Sequence, residues 1–261
     1  MAAIWRLIRQ GDLDAALNMA VDEALLLSHA EGKSPPTIRF YGWDRPSISL
    51  GYFQDSERGL NPDAIRARGL QLVRRLTGGR AVLHGHDLTF SIVVGSELLP
   101  ADRRSVPGSH SWLMQGIIGG LRAMGLDARL GRSQAAPSGR SADCFAHIAS
   151  CDVTVGDRKV AGSAQARKQG IILEQGSIPL QKPAVNLEDV FGRLSPEAGE
   201  SAVVLDRDAL ESAIVGSFAH MLGAPPFDGE LSPLEVDKAL SLRSAKYDDP
   251  EWTLRAYRPV R

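Results

Sequence analysis

Leu13, Leu17, Ala20, Ala24 and Leu27 recur at three- and four-residue steps, which predicts one apolar helix face, with Asp12 read as the N-cap. Glu31-Gly32-Lys33-Ser34-Pro35-Pro36 ends that helix. Thr37-Ile38-Arg39-Phe40-Tyr41 and Ser47 to Tyr52 then read as two strands separated by a turn at Gly42 to Pro46. Asn61-Pro62-Asp63 starts a short helix, with a cap followed by a proline at its first position. The apolar run Leu70, Leu72, Val73 leads into Arg74-Arg75-Leu76-Thr77-Gly78-Gly79-Arg80-Ala81-Val82-Leu83-His84, and Leu88 to Val94 leaves it. The plain reading of that passage is a β-hairpin with a glycine turn and a solvated basic edge.

Farther along, Pro100 to Pro107 reads as a loop, and Ser109 opens a helix with Leu113, Ile117, Leu121 and Met124 on one face. A short strand follows at Leu126 to Leu130. Gly131 to Asp143 has almost no bulky apolar residue and reads as a mobile loop. Asp152 to Val155 and Lys159 to Ala164 form a hairpin about Gly156-Asp157, and Ile171 to Leu180 supplies the next strand. Asp206 caps a helix striped by Leu210, Ile214, Phe218 and Leu222, and Ser232-Pro233-Leu234-Glu235 is a capping box. Trp252 and Tyr257 pack the tail down. Helices separate groups of hairpin strands rather than alternating with every strand. The expectation is one α+β domain over residues 1–261, a central mixed, largely antiparallel sheet flanked by helices.

Composition narrows the classes. A formal net charge of −1 argues against a dedicated nucleic-acid binder. No apolar run reaches membrane-spanning length, and Met1 to Arg6 has no signal-peptide core. The expected compartment is therefore the cytoplasm, where Cys144 and Cys151 stay reduced.

The candidate chemistry centres on Cys144 and Lys159. A thiolate beside an ammonium group suits acyl transfer through a thioester. The plainer alternatives are a small buried hydrophobe for Cys144 and a solvated hairpin residue for Lys159. Gly162-Ser163-Ala164 leaves room for a flat or linear acyl group, or marks a strand bend. Arg74 and Arg75 suit a carboxylate, a phosphate or a phosphopantetheine arm. Metal readings are weak: Cys144-Phe145-Ala146-His147 lacks a second pair, and no histidine cluster supports His84-Gly85-His86-Asp87. Neither a Walker loop, a dinucleotide fingerprint nor a serine nucleophile elbow is present.

Residues 74–84 resemble the first signature of the lipoate–protein ligase, octanoyltransferase and biotin–protein ligase superfamily, and Arg158-Lys159-Val160-Ala161-Gly162-Ser163-Ala164-Gln165 resembles its second. The LipM-type octanoyltransferases fit best: Arg80 stands where ligases usually have a third glycine, and Cys144-Phe145 stands where that branch carries its acyl-accepting cysteine. Ala146-His147-Ile148 departs from the Asp-Ala-Pro-like continuation of the branch, a change that bears on donor choice. The resemblance implies transfer of an octanoyl group from octanoyl-acyl carrier protein to a lysine of an apo lipoyl domain, such as the glycine-cleavage H protein. It implies no cofactor and no ATP, no nucleic-acid or membrane partner, and a monomer. Cys144 would hold the acyl group. Lys159 would lower the thiol pKa and orient the acyl carbonyl. Main-chain amides near Thr77, Gly78, Gly79, Gly162, Ser163 and Ala164 would line the acyl tunnel and stabilise the oxyanion. Arg74, Arg75 and His84 would shape the mouth or touch the pantetheine arm. The alternatives are an ATP-dependent lipoate–protein ligase working through lipoyl-adenylate, a lipoyl or octanoyl amidotransferase, and a non-catalytic carrier-protein binder.

Overall fold

Alternating side chains on the central strands sort the protein into two layers. A computed structural model describes residues 3–56, 59–131, 151–183, 185–191 and 204–255. β1 (Arg6–Leu13) is followed by α1 (Ala15–Ala30), β2 (Thr37–Trp43), β3 (Ser47–Leu50), α2 (Pro62–Ala67), β4 (Gln71–Arg74), β5 (Val82–His84) and β6 (Asp87–Gly95). Then come α3 (Val106–Ala123), β7 (Ala128–Leu130), β8 (Val153–Val155), β9 (Arg158–Lys168), β10 (Ile171–Pro179), α4 (Leu187–Phe191), α5 (Arg207–Leu222), β11 (Phe227–Asp228), α6 (Pro233–Leu242) and α7 (Pro250–Leu254).

The main sheet runs β11-β1-β2-β6-β10-β9-β8-β7. β1 pairs in parallel with β2 and β11, and the remaining pairs are antiparallel. On β6, Leu88, Phe90, Ile92 and Val94 face one way and join Leu113 and Ile117 of α3 with Ile214 and Phe218 of α5 in one core. Tyr41 and Trp43 of β2, Val93 of β6 and Leu173 of β10 join a second core with α1. Because α6 and the π-helical turn Arg243–Tyr247 also contact α1, this helix is buried on nearly all sides, not on one stripe. Among the described residues, no helix is long and apolar enough to cross a membrane.

Three expectations change. β1 runs through Asp12, which sits opposite Gly42 in the sheet and is not the N-cap of α1; the true N-cap is Asp14, whose Oδ1 accepts from the Leu17 N–H at 3.0 Å. α3 begins at Val106 rather than Ser109, because Ser105 caps it and Pro107 fits the first turn. The Gly-Gly passage is not a hairpin: β4 and β5 both pair with β3, giving a separate sheet in the order β4-β3-β5. Gly78 and Gly79 therefore turn the chain across the end of a strand that lies between its two arms. The predicted loop from Gly131 onward falls, beyond its first residue, outside the described residues.

Arg6 of β1 and Glu235 of α6 form a buried two-armed ion pair, with Nη2–Oε1 at 2.6 Å and Nη1–Oε2 at 3.0 Å. Burial alone would raise the Glu235 pKa. Donors from Arg6, the Ser34 hydroxyl and the Ser232 N–H outweigh it and hold the carboxyl at about 2. A depressed carboxylate stabilises the fold above its unfolded value of 4.5, and the contribution disappears as pH falls toward 2. Glu235→Gln is thus expected to lose on the order of 3 kcal/mol at neutral pH. The gap to wild type should narrow as urea-unfolding midpoints are measured from pH 6 down to 2. A gap independent of pH would refute the assignment.

Candidate active site

The first signature is folded around β3. Gly51 ends that strand, and a Cβ placed there would lie 2.0 Å from the Gly79 carbonyl oxygen. Gly79 itself has φ +88°, a backbone region that glycine adopts without strain. Arg74 is fully buried, and its Nη1 donates to the carbonyls of Gly51, Tyr52 and Gln54 at 2.7, 3.1 and 2.7 Å. Its Nε reaches the Thr253 carbonyl at 3.0 Å, and the Trp252 indole returns a bond to the Arg74 carbonyl at 3.0 Å. Arg75 works the same way on the other side. Nη1 donates to the Ser49 carbonyl at 2.8 Å, and Nη2 to those of Gly78 and Arg80 at 2.6 and 2.8 Å. Both arginines are turned inward and shape the rim by gripping its main chain.

A cavity opens where this rim meets β9 and β10. Arg75, Gly79 and His84 of the first signature and Gly162, Ser163 and Ala164 of the second line it together. Residues 74–84 and 158–165, remote in sequence, thus form one pocket. Much of the rest of the wall is apolar or aromatic: Met19 of α1, Tyr41 and Trp43 of β2, and Val82. Gly176 of β10 contributes bare backbone, and the Phe90 ring fills the space its side chain would take. Arg74, Thr77, Gly78 and Lys159 are not among the lining residues. Thr77 stands just behind the wall, donating to Gln175 Oε1 at 2.9 Å, and Gln175 Nε2 passes on to Asp22 at 2.7 Å.

Lys159 is buried on β9, with Nζ 2.8 Å from Asp152 Oδ1. The solvated-hairpin reading of this lysine is therefore excluded. Cys144 lies outside the described residues. The described chain resumes at Cys151, whose carbonyl receives His110 Nε2 at 2.8 Å. His110 Nδ1 meets Glu174 Oε1 at 2.9 Å. Burial would lower the His110 pKa, but Glu174, the Cys151 carbonyl and Asp152 raise it above the ordinary histidine value. Both ring nitrogens facing acceptors fits the imidazolium form.

The sequence reading missed Asp87 as the partner of His84. Nδ1 and Oδ2 are 2.8 Å apart, and Asp87 also accepts from the Gly85 N–H and the Thr89 and Ser177 hydroxyls. Burial disfavours charge on Asp87, but His84, His86 and Ser177 outweigh it and hold the carboxyl far below the usual range. Trp43 stacks on the His84 ring at 4.1 Å. The His-x-x-Asp spacing was the available signal. It denotes a hydrogen-bonded pair here, and no group of three or more potential metal ligands gathers among the described residues.

Against known proteins, the profile of the lipoyl protein ligase A/B catalytic domain matches residues 14–205. The octanoyltransferase LipM of Kyrpidia tusciae is 41% identical, covering 96% of this chain and 98% of its own length. The octanoyltransferase LipM of Bacillus subtilis is 36% identical over 96% of this chain and 98% of its own. Among solved structures, a bi-partite lipoate protein ligase studied with its E2 lipoyl domain, from Thermoplasma acidophilum, superposes with a TM-score of 0.77. It is 25% identical and covers 99% of both chains.

Proposed function

The chain belongs to the lipoyl protein ligase A/B catalytic-domain family, and from that premise we propose that it is an octanoyltransferase of lipoate biosynthesis. The group passes from octanoyl-acyl carrier protein through a thioester on Cys144 to a lysine of a lipoyl domain, the glycine-cleavage H protein being one such acceptor. The observation that carries this reading is the apolar cavity built jointly by both signatures. A linear eight-carbon chain buries only apolar surface, which such a wall accepts. The donor thioester is already activated, so no nucleotide enters the reaction.

The chemistry has two acyl exchanges. The Cys144 thiolate attacks the donor carbonyl and releases the carrier thiol. The lysine amine then attacks the enzyme thioester and releases Cys144. Lys159 favours the thiolate and orients the acyl carbonyl, with Asp152 fixing the ammonium in place. Main-chain amides of the Gly78-Gly79 turn and of Gly162 to Ala164 receive the oxyanion. The enzyme acts in the cytoplasm as a monomer.

A second reading, a lipoate–protein ligase working through lipoyl-adenylate, draws on the likeness to the Thermoplasma ligase. Intact-protein mass spectrometry after incubation with octanoyl-acyl carrier protein in the absence of ATP separates the two. An octanoyl adduct that an apo lipoyl domain discharges is the expected result. No adduct, with lipoylation only when ATP and free lipoate are supplied, would establish the ligase. Lys159→Ala is expected to slow acylation and to shift thiol alkylation to higher pH. An unchanged alkylation profile in a variant that melts like wild type would remove Lys159 from thiol activation.

A further inference from the structure

Ser49 is the third residue of β3 and faces His84 of β5 inside the cavity. Ser49 Oγ lies 2.8 Å from His84 Nε2, and Arg75 Nη1 donates to the same Oγ at 3.0 Å. With His84 neutral, these contacts set the direction of each proton. A guanidinium only donates, so it occupies a lone pair on the serine oxygen and leaves the hydroxyl hydrogen for His84 Nε2. Asp87 only accepts when ionised, so Nδ1 carries the other ring proton. Neutral His84 is thereby held as the Nδ1–H tautomer with Nε2 ready to take a proton from Ser49. The chain Ser49–His84–Asp87 begins at the cavity wall and ends on a carboxylate saturated with donors.

We propose that Ser49, His84 and Asp87 form a proton relay serving the second acyl exchange, in which the acceptor lysine attacks the enzyme thioester. This rests on the transferase reading above. A lysine side chain, with an ordinary pKa of about 10.4, arrives almost wholly as ammonium. Becoming an amide costs it two protons. One leaves to solvent as the amine enters the pocket. As the C–N bond forms, the nitrogen gives its second proton to Ser49 Oγ, which gives its own to His84 Nε2. The C–S bond then breaks, and its electron pair leaves with the Cys144 sulfur as thiolate. Imidazolium beside Asp87 is stabilised by charge, and its proton returns to solvent after the product leaves. The Lys159 ammonium is engaged by Asp152, whereas the relay ends in an acceptor. Around His84, Asp87 and Thr89 face it from β6, Trp43 from β2 and Ser49 from β3, with the Arg75 guanidinium on the far side of Ser49. Ser177 of β10 braces Asp87, and His86 is the remaining titratable group of the turn. Ser49 is the group that meets substrate; His84 and Asp87 act through it.

The test isolates the second exchange. Wild type, Ser49→Ala, His84→Gln and Asp87→Asn are loaded from octanoyl-acyl carrier protein and freed of donor. Loss of the acyl mass is then followed on mixing with an apo lipoyl domain between pH 6 and 9, and separately with hydroxylamine. Each variant is expected to discharge to the lipoyl domain about 10²-fold more slowly, with double variants no worse than single ones. All the rates should climb with pH as the lysine loses its ammonium proton, wild type the more steeply at the acid end, because a protonated imidazole cannot accept. Hydroxylamine is neutral at pH 7 and needs no relay, so it should discharge every variant within about threefold of wild type. Ser49→Thr, which keeps the hydroxyl, should recover most of the lipoyl-domain rate. Asp87→Asn disturbs a fully bonded carboxylate and has the greatest folding risk; Ser49→Ala removes one hydroxyl and keeps the test sound. Discharge as fast as wild type, or an equal slowing with hydroxylamine, would overturn the relay while leaving the transferase in place. Absence of an acyl adduct on wild type would overturn both.

Discussion

Cys144→Ala is expected to lower octanoyl transfer by on the order of 10⁴-fold or more, because removing the attacking atom of a covalent route leaves only binding and oxyanion stabilisation. Cys151→Ala is the matched control and should keep most of the activity. The Cys151 carbonyl receives His110 Nε2 whatever the side chain is. Steady-state transfer to an apo lipoyl domain, read with acyl-adduct mass on both variants, decides the matter. If Cys151 proves essential and Cys144 dispensable, the placement of the second signature relative to its cysteine is wrong.

The largest stability effect is expected at Asp22, under the cavity floor. Its Oδ1 accepts from Arg39 Nη1 at 2.7 Å and the Ser91 hydroxyl at 2.6 Å, and its Oδ2 from the Tyr41 hydroxyl at 3.0 Å and Gln175 Nε2 at 2.7 Å. Arg39 and Asp22 are both essentially inaccessible to solvent. Asp22→Ala leaves a buried guanidinium without its counter-charge, a change that typically costs about 3–5 kcal/mol. For a chain of this size the melting temperature should fall by about 10 °C. A loss below about 1 kcal/mol in urea titration would show that Asn18 and Gln10, which also bind Arg39, suffice to hold it. Because Tyr41 and Gln175 line the cavity, the same variant should also loosen acyl binding.

Legibility followed the range of the interactions. Both signatures were visible because each is a short local pattern, and both meet at the cavity. The capping box at Ser232 was equally local, and its reciprocal bonds are present. β1 escaped notice because Arg6 and Arg9 interrupt its apolar run, and the counter-charge that lets Arg6 lie inside is Glu235, 229 residues away. The Gly-Gly passage was misjudged because a hairpin is the nearest pairing available to two adjacent runs. The alternative partner, β3, precedes them by more than twenty residues. Ser49 carried no signal at all: one serine in a short strand becomes chemical only when pairing of β3 with β5 brings its hydroxyl within reach of the His84 ring. His84 and Asp87 were noticed, but spacing alone does not separate a metal-ligand pair from an acid–histidine pair.

The bond between Arg6 and Glu235, with β1 seated between β2 and β11, also sets an order of events during synthesis. β1 leaves the ribosome more than two hundred residues before its outer neighbour and the carboxylate that neutralises its arginine. At about 5–20 residues per second, that is a wait of roughly ten to forty seconds. β1 is therefore among the last of these strands to lock, and the nascent chain carries an unpaired edge until β11 and α6 emerge. Chains cut before Pro233 should fail as wholes, through a strand made long before the cut.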